Sequence, residues 1–325
     1  MSTTLFFLVP IGMLAVTWGF CFVGCKLPTT GIDYGKPYSN QILDEATLVA
    51  YWPLNDAPGS VPPPPAPQPP QNSKGVGTAV DHSGNHNGAY INPPAYPPAA
   101  NVPGSTPFAN PTLKFAQTSI VPGDALQSGS AIIPQCVEFL GGYVSIPWSM
   151  PALSSFTFEA WVKPNWTAAG NNYVVFSALS GGTGFSVFVN GDNVWQVNIG
   201  NGEVVLPNPF VPVDLSGVSY VAVTYDSTMQ VLSFWVNPDG DGGAPMPAAP
   251  PVPNTVYAPV TQPVAFFIGA GLNDDPPRTQ PQANGNTSPL YPFQGWIQSV
   301  ALYSSALDST DLGDHFAAGS GAESG

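Results

Sequence analysis

The segment Phe156–Lys163, with the sequence FTFEAWVK, carries the clearest structural signal in this chain. Successive side chains of a β-strand point to opposite faces, so an apolar residue at every second position indicates a strand with one face in a core. One predicted face holds Phe156, Phe158, Ala160 and Val162, and the other holds Thr157, Glu159, Trp161 and Lys163. The segment therefore predicts a strand at the centre of a β-protein.

Further short apolar segments with the character of strands occur on both sides of this one. They span residues 47–54, 136–146, 173–178, 184–189, 194–199, 220–225, 231–236, 264–268 and 294–303. The 40 Pro and 34 Gly residues separate these segments with turns and oppose long helices. The pattern predicts an all-β fold, a two-sheet antiparallel jelly-roll sandwich.

The composition of the chain opposes nucleic-acid binding and favours a location outside the cytoplasm. Twenty Asp and Glu residues against six Lys and Arg give a formal net charge of −14, which opposes nucleic-acid binding because that affinity comes mainly from cationic contacts to phosphates. Charged residues make up 8% and aromatic residues 12% of the chain, a balance typical of sandwiches outside the cytoplasm. We expect Cys136 to be a buried, unpaired thiol.

The N-terminal segment from Leu5 to Cys25 is apolar, uncharged and about long enough to cross a bilayer as a helix. We predict a retained transmembrane helix from Leu5 to Gly24 within an anchor of residues 1–26, and a sandwich on the extracytoplasmic side. The start, MSTT, lacks the basic residues of a cleaved signal peptide. Lipidation at Cys25 is a further alternative, because Phe22–Cys25 resembles a bacterial lipobox.

The remaining organisation follows from the Pro-rich tracts. We predict a connector at 27–46, a sandwich at 47–318 and a flexible tail at 319–325. Pro-rich insertions near 58–74, 92–111 and 244–263 cannot join a sheet ladder and are expected to be long loops. A short terminal helix is predicted with Ser309 as its N-cap and with Leu312 and Phe316 facing inward.

Several motifs follow one another along roughly residues 48–318. They are LVAYWPLND, AVDHSGNHNGAY, VEFLGGYVSIP, SFTFEAWVKPN, SYVAVTYDSTMQVLSFWVNPDG, FIGAG and YPFQGWIQSVALYSSALDSTDL. Their order resembles the laminin-G-like branch of the concanavalin A-like jelly rolls. The resemblance implies two curved antiparallel sheets, a habitat mostly outside cells, frequent binding of sugars or proteins, and often a structural calcium ion.

A possible calcium site lies in the loop DHSGNHNG, where Asp81, Ser83 and Asn85 offer oxygen ligands. The alternative is an Asx-type turn in which Asp81 and Asn85 bond to backbone amides. The position at which relatives often carry a metal-associated Asp corresponds here to Gln298, a departure that weighs against calcium.

The tryptophans are candidates for stacking on a ligand. Trp148 and Trp166 lie next to turns and are the pair we expect to be exposed, whereas core packing is the alternative for all of them. The tryptophans considered are Trp148, Trp161, Trp166, Trp195 and Trp296.

A catalytic role is not expected. Glycosidases need a pair of carboxylates, and Glu45, Glu138, Glu159 and Glu203 each stand alone on their segments. The leading hypothesis from sequence is a non-catalytic, membrane-anchored structural subunit that packs on protein subunits of a membrane complex, for example a respiratory or photosynthetic one. A surface carbohydrate- or matrix-binding lectin-like module is the alternative, and a glycan-active enzyme is the second alternative.

Overall fold

The segment that carries the strongest sequence signal forms strand β7, Phe156–Pro164, and it lies inside a large antiparallel sheet. The structure is a computed structural model. It describes residues 38–59, 74–84, 86–93, 111–123, 135–148, 153–166, 172–179, 183–199, 204–205, 211–237, 247–253, 255–259, 266–271 and 291–321.

Sheet A contains seven described strands. They are β1 (Leu48–Trp52), β4 (Thr112–Thr118), β5 (Gln135–Leu140), β7, β12 (Ser219–Asp226), β13 (Val231–Val236) and β15 (Gln294–Tyr303). The order is β13-β12-β7-β15-β5-β4, with β1 also paired to β15. β15 is long enough to pair with two strands on one edge, because its residues 294–297 bond to β5 and its residues 300–303 bond to β1.

Sheet B contains eight described strands. They are β2 (Lys74–Ala79), β3 (Gly88–Asn92), β6 (Tyr143–Ile146), β8 (Tyr173–Ser177), β9 (Ser186–Val189), β10 (Trp195–Asn198), β11 (Val204–Val205) and β14 (Phe266–Ile268). The order is β11-β10-β9-β8-β14-β6-β3-β2, and the pairs are antiparallel. The predicted all-β, two-sheet antiparallel sandwich is thereby confirmed.

The main core lies between the two sheets. Phe158 of β7 packs against Phe176 of β8 with ring centroids 4.7 Å apart, and Phe156 stacks on Phe185 at 4.1 Å. The face of β7 predicted to be apolar is fully buried in this core. Burial of such large side chains supplies most of the favourable free energy of folding.

The predicted strand 136–146 is two strands that belong to different sheets. The chain turns at Gly141, whose φ of 91° is readily adopted only by glycine. A Cβ at Gly142 would lie 2.5 Å from Cγ of Leu113, so this turn also requires a close approach. The apolar run is continuous across the turn, and periodicity alone did not reveal the break.

Two helices cover the outer face of sheet A. They are α1 (Tyr38–Asp44), which falls in the predicted connector, and α2 (Ser309–Ser320), which extends into the predicted tail. The N-cap of α2 is Asp308 in place of the predicted Ser309, and its side chain accepts bonds from the amides of Thr310 and Asp311.

A buried carboxylate holds both helices to the sheet. Oε1 of Glu159 in β7 accepts hydrogen bonds from the hydroxyls of Tyr38 in α1 and Tyr303 in β15, both at 3.0 Å. Its Oε2 accepts from the hydroxyl of Tyr220 in β12 and from Nδ1 of His315 in α2, the latter at 3.0 Å. Each oxygen therefore has two donors, which satisfies a charge that is fully buried.

The electrostatics of this cluster favour an ion pair. Burial by itself raises the pKa of Glu159, but His315 and the tyrosine hydroxyls outweigh it and hold the pKa below its ordinary value. Burial by itself lowers the pKa of His315, but Glu159 outweighs it, with a smaller contribution from Glu45, and raises the pKa to about 10. Nε2 of His315 lies 3.5 Å from Oε1 of Glu45.

The segment predicted as a transmembrane helix, with Cys25, lies outside the described residues, as do most residues of the insertions near 58–74 and 92–111. The insertion near 244–263 is described at 247–253 and 255–259. None of the helices in the described ranges is both long and apolar enough to span a membrane.

We predict that His315→Gln removes most of the loss of stability between pH 6.5 and 9, the range below that in which the buried Cys136 thiol, with its raised pKa, adds a loss of its own. The pKa of His315 is 6.5 unfolded and about 10 folded, so its contribution is complete below pH 6.5 and is lost as the pH rises through 10. The wild-type free energy of unfolding should then fall by up to about 1.4 kcal/mol per pH unit over this window. Urea unfolding at several pH values measures the slope.

The variant should also be about 3 kcal/mol less stable at pH 6, because the buried Glu159 loses its counter-charge. His82→Gln, a change at an exposed histidine, is the control. Equal slopes in the wild type and His315→Gln would contradict the ion pair.

Candidate functional site

A row of polar and aromatic side chains crosses sheet A beyond the helices. The strand register places Lys114 of β4 opposite Glu138 of β5, Glu138 opposite Trp296 of β15, and Trp296 opposite Lys163 of β7. Directly opposite residues of an antiparallel pair project from the same face of the sheet. The row therefore continues the polar face of the FTFEAWVK strand onto its neighbours.

A pocket of about 380 Å³ opens at the end of this row that is formed by Trp296 and Lys163. Trp296 and Lys163 are half-buried, and Thr118 is exposed. The lining residues are Gln117, Thr118, Ser119, Ile120, Pro122, Lys163, Val218 and Trp296. An aromatic side chain beside neutral hydroxyl and amide groups is a combination suited to a small ligand with both apolar and polar surface.

Gln298 fixes one wall of the pocket. Its Oε1 accepts from the amide of Ile120 at 2.8 Å and from the hydroxyl of Ser119 at 3.0 Å, and its Nε2 donates to Ser119 Oγ at 2.9 Å. Gln298 is itself buried. The residue that departs from the expected metal-associated Asp thus holds the segment after β4 against β15.

The charges around the pocket are distributed unevenly. Nζ of Lys163 lies 5.2 Å from the centroid of the Trp296 ring, within the range of a cation–π contact. Glu138 is neutralised by Lys114, with an N–O distance of 3.3 Å, and accepts from Nδ2 of Asn165 at 3.1 Å. The ammonium of Lys163 is the charge that faces the ligand space.

Cys136 lies behind the pocket wall and is buried and unpaired, as predicted. Its Sγ donates to the carbonyl of Thr118 at 3.0 Å. Burial raises the pKa of this thiol to about 12, which keeps it protonated and unreactive at neutral pH.

The predicted calcium loop places Asp81 in a dense set of protein donors. Oδ1 accepts from the amides of Tyr51 and Ser83, both at 2.9 Å, and from Ser83 Oγ at 2.7 Å. Oδ2 accepts from the amide of His86 at 2.9 Å and lies 3.1 Å from its Nδ1. This is the Asx-type arrangement of the alternative interpretation, although Asn85 lies outside the described residues.

The two tryptophans expected to be exposed differ in burial. Trp166 is only 6% exposed, stacks on Tyr173 with centroids 3.9 Å apart, and donates from Nε1 to Asn193 Oδ1 at 2.9 Å. Its position beside a predicted turn did not expose it, because its ring is part of the main core. Trp148 is half-buried between contacts to His86 at 3.6 Å and Phe266 at 5.3 Å.

Trp296 was one of the five tryptophans considered from the sequence, but Trp148 and Trp166 were ranked above it. In QGWIQSV, Gln294, Trp296 and Gln298 alternate with Gly295 and Ile297, and this places an aromatic ring on the polar side of its strand. That pattern was the available signal for a tryptophan outside the main core.

The sequence from residue 140 to 313, more than half of the chain, matches a laminin G family model described as the concanavalin A-like lectin/glucanases superfamily. The chain belongs to this superfamily. No match was found among curated proteins.

Solved structures with a similar fold have low sequence identity. A sialidase from Trypanosoma rangeli is 14% identical with a TM-score of 0.46, over 86% of this chain and 36% of the sialidase. The binding domain of botulinum neurotoxin DC in complex with SialylT is 12% identical with a TM-score of 0.44, over 85% of this chain and 52% of the other. Domain 4 of an extracellular arabinanase from Geobacillus stearothermophilus, in complex with arabinotriose, is 12% identical with a TM-score of 0.39, over 63% of this chain and 87% of the arabinanase domain.

The chain spans about a third of the length of the sialidases it matches, which are 33% covered in several complexes. The family match corrects the leading hypothesis from sequence. The family model is one of lectins and glucanases, so the interpretation as a structural subunit of a respiratory or photosynthetic membrane complex is wrong. That hypothesis relied on the long Pro-rich loops and the apolar N-terminus more than on the resemblance to a family that often binds sugars.

We predict that Asp81→Ala destabilises the protein by about 3 kcal/mol with or without calcium, because three backbone amides lose their acceptor. Chemical unfolding in EDTA and in calcium measures this loss, and Asp56→Ala, at an acid that bonds to Val80 and Tyr90 near the same loop, is the comparison variant. Stabilisation of the wild type by calcium that disappears in Asp81→Ala would instead assign a metal to this loop.

Proposed function

We propose that this protein is a carbohydrate-binding, lectin-like module whose ligand stacks on Trp296 in the pocket of sheet A. The observation that carries the proposal is the half-buried indole in a pocket of about 380 Å³ on a sandwich of a lectin superfamily. A pocket of this volume lies within the range of known small-ligand sites.

The chemistry of the lining supports a sugar. The C–H face of a pyranose ring is apolar and its edge carries hydroxyls, so it matches an indole face beside groups that donate and accept hydrogen bonds. Thr118 offers a hydroxyl, and Gln117 offers the oxygen of its side-chain amide. Ile120 and Val121 belong to a buried apolar cluster, and Gln298 bonds to Ser119 and Ile120, so this wall of the pocket is held in place by the protein itself.

We further propose that the module binds glycans without cleaving them. Glycosidic cleavage needs a carboxyl group that can donate a proton and a second that acts as base or nucleophile. Two carboxylates of this sheet are occupied, Glu138 by Lys114 and Asn165, and Glu159 by tyrosines and His315. We propose calcium binding at the Asp81 loop and at no other site.

We predict that Trp296→Ala weakens glycan binding about tenfold or more, which corresponds to about 1.4 kcal/mol of lost stacking. The wild type is first screened on a glycan array in calcium and in EDTA, and the strongest glycan is then titrated by calorimetry. Trp296→Phe should retain part of the affinity because it keeps an aromatic face.

Two controls separate this site from others. Met229→Ala removes an exposed apolar side chain away from the pocket and should leave affinity unchanged. Trp148→Ala tests the competing tryptophan. An array without any signal in either condition, or full affinity in Trp296→Ala, would refute the proposed site.

We propose that the module works on the extracytoplasmic side of a membrane, tethered by the apolar segment from Leu5 to Gly24. The uncharged length of that segment and the low content of charged residues support this location. Mass spectrometry of the mature protein is expected to show an intact N-terminus. A mass that begins at Cys25 with an added lipid would replace the helical tether with a lipid anchor.

A further inference from the structure

The pocket is lined by one charged side chain, Lys163, and no carboxylate of the described residues pairs with its ammonium group. The chain has six Lys and Arg residues against twenty Asp and Glu. Among the residues that the structure describes, Lys114 pairs with Glu138, whereas Lys163 makes no ion pair and contacts the Trp296 ring. A cation left unpaired among so many acids is available to a ligand.

The surroundings of Lys163 keep that charge directed at the pocket. The Lys163 side chain is half-buried, and the contact of its Nζ with the Trp296 ring at 5.2 Å favours this position of the ammonium group. The nearest acid in the row, Glu138, is already neutralised by Lys114 and Asn165. An anionic group that enters the pocket therefore meets a cation without meeting an uncompensated carboxylate in this row.

The charge of the whole protein limits what kind of anion can bind. A net charge of −14 repels long polyanions, whose binding depends on many cations spread over a surface. One lysine beside one tryptophan instead suits a single anionic group on one sugar unit.

We propose that the pocket selects carbohydrates that bear a carboxylate or a sulfate, with Lys163 bonding to the anionic group while the sugar ring stacks on Trp296. This inference rests on the proposed function and adds the class of ligand. A carboxylated and a sulfated sugar share the chemistry that Lys163 recognises, and separate arms of the experiment distinguish them.

The test uses matched sugars that differ only in charge. The wild type and variants are titrated with a galactoside, the same galactoside carrying a 6-sulfate, and the same galactoside carrying a terminal sialic acid. We expect at least one anionic member to bind about tenfold more tightly than the neutral one, and this advantage to shrink as salt rises from 50 to 300 mM. Lys163→Met should remove the advantage of the anionic sugars over the neutral one, whereas Lys163→Arg should keep most of it.

Lys74→Met is the matched control, because Lys74 is an exposed lysine on sheet B and its loss should change nothing. Equal affinity for neutral and charged members, unchanged in Lys163→Met, would overturn the anionic selectivity and leave the lectin function standing. Equal loss of neutral and anionic binding in a folded Lys163→Met would also overturn it, since Lys163 would then only position Trp296. Absence of binding to all members, with Trp296→Ala indistinguishable from the wild type, would overturn the proposed function itself.

Discussion

The buried carboxylate of Glu159 is the interaction on which the arrangement of this protein depends. An ionised carboxyl group removed from water is costly unless it is paired and fully hydrogen-bonded. Here one helix supplies Tyr38, the other supplies His315, and the two strands beside β7 supply Tyr220 and Tyr303. Because those donors come from four elements, the charge is satisfied only when both helices lie on the outer face of sheet A.

The close fit of the helices follows from the same constraint. Phe316 of α2 stacks on Trp161 with centroids 5.9 Å apart, and a Cβ at Gly319 would lie 2.3 Å from Cζ2 of that indole. Tyr38 meets the same ring edge-on at 6.0 Å. The outer face of sheet A is therefore a second small core, and its cover ends before the row that contains Trp296 and Lys163.

That boundary between covered and uncovered sheet creates the candidate site. Glu159, Trp161 and Lys163 follow one another on the same face of β7, yet Glu159 and Trp161 are buried and Lys163 is half-buried. Lys163 and Trp296 are thus the first side chains beyond the helices, rigidly held by their strands but accessible. A binding site on such rigid elements loses little entropy when it takes a ligand.

The sequence by itself determined the sandwich, the superfamily and the two faces of β7, because a period of two and the order of motifs are local properties of the chain. Its net charge of −14 also opposes nucleic-acid binding. Only the tertiary structure decided that the polar face of β7 is mostly buried, since the partners of Glu159 lie 61 to 156 residues away. It likewise decided which tryptophan is accessible: Trp166 beside a turn is in the core and Trp296 within a strand lines a pocket, because exposure depends on what packs above each ring and not on its neighbours in sequence.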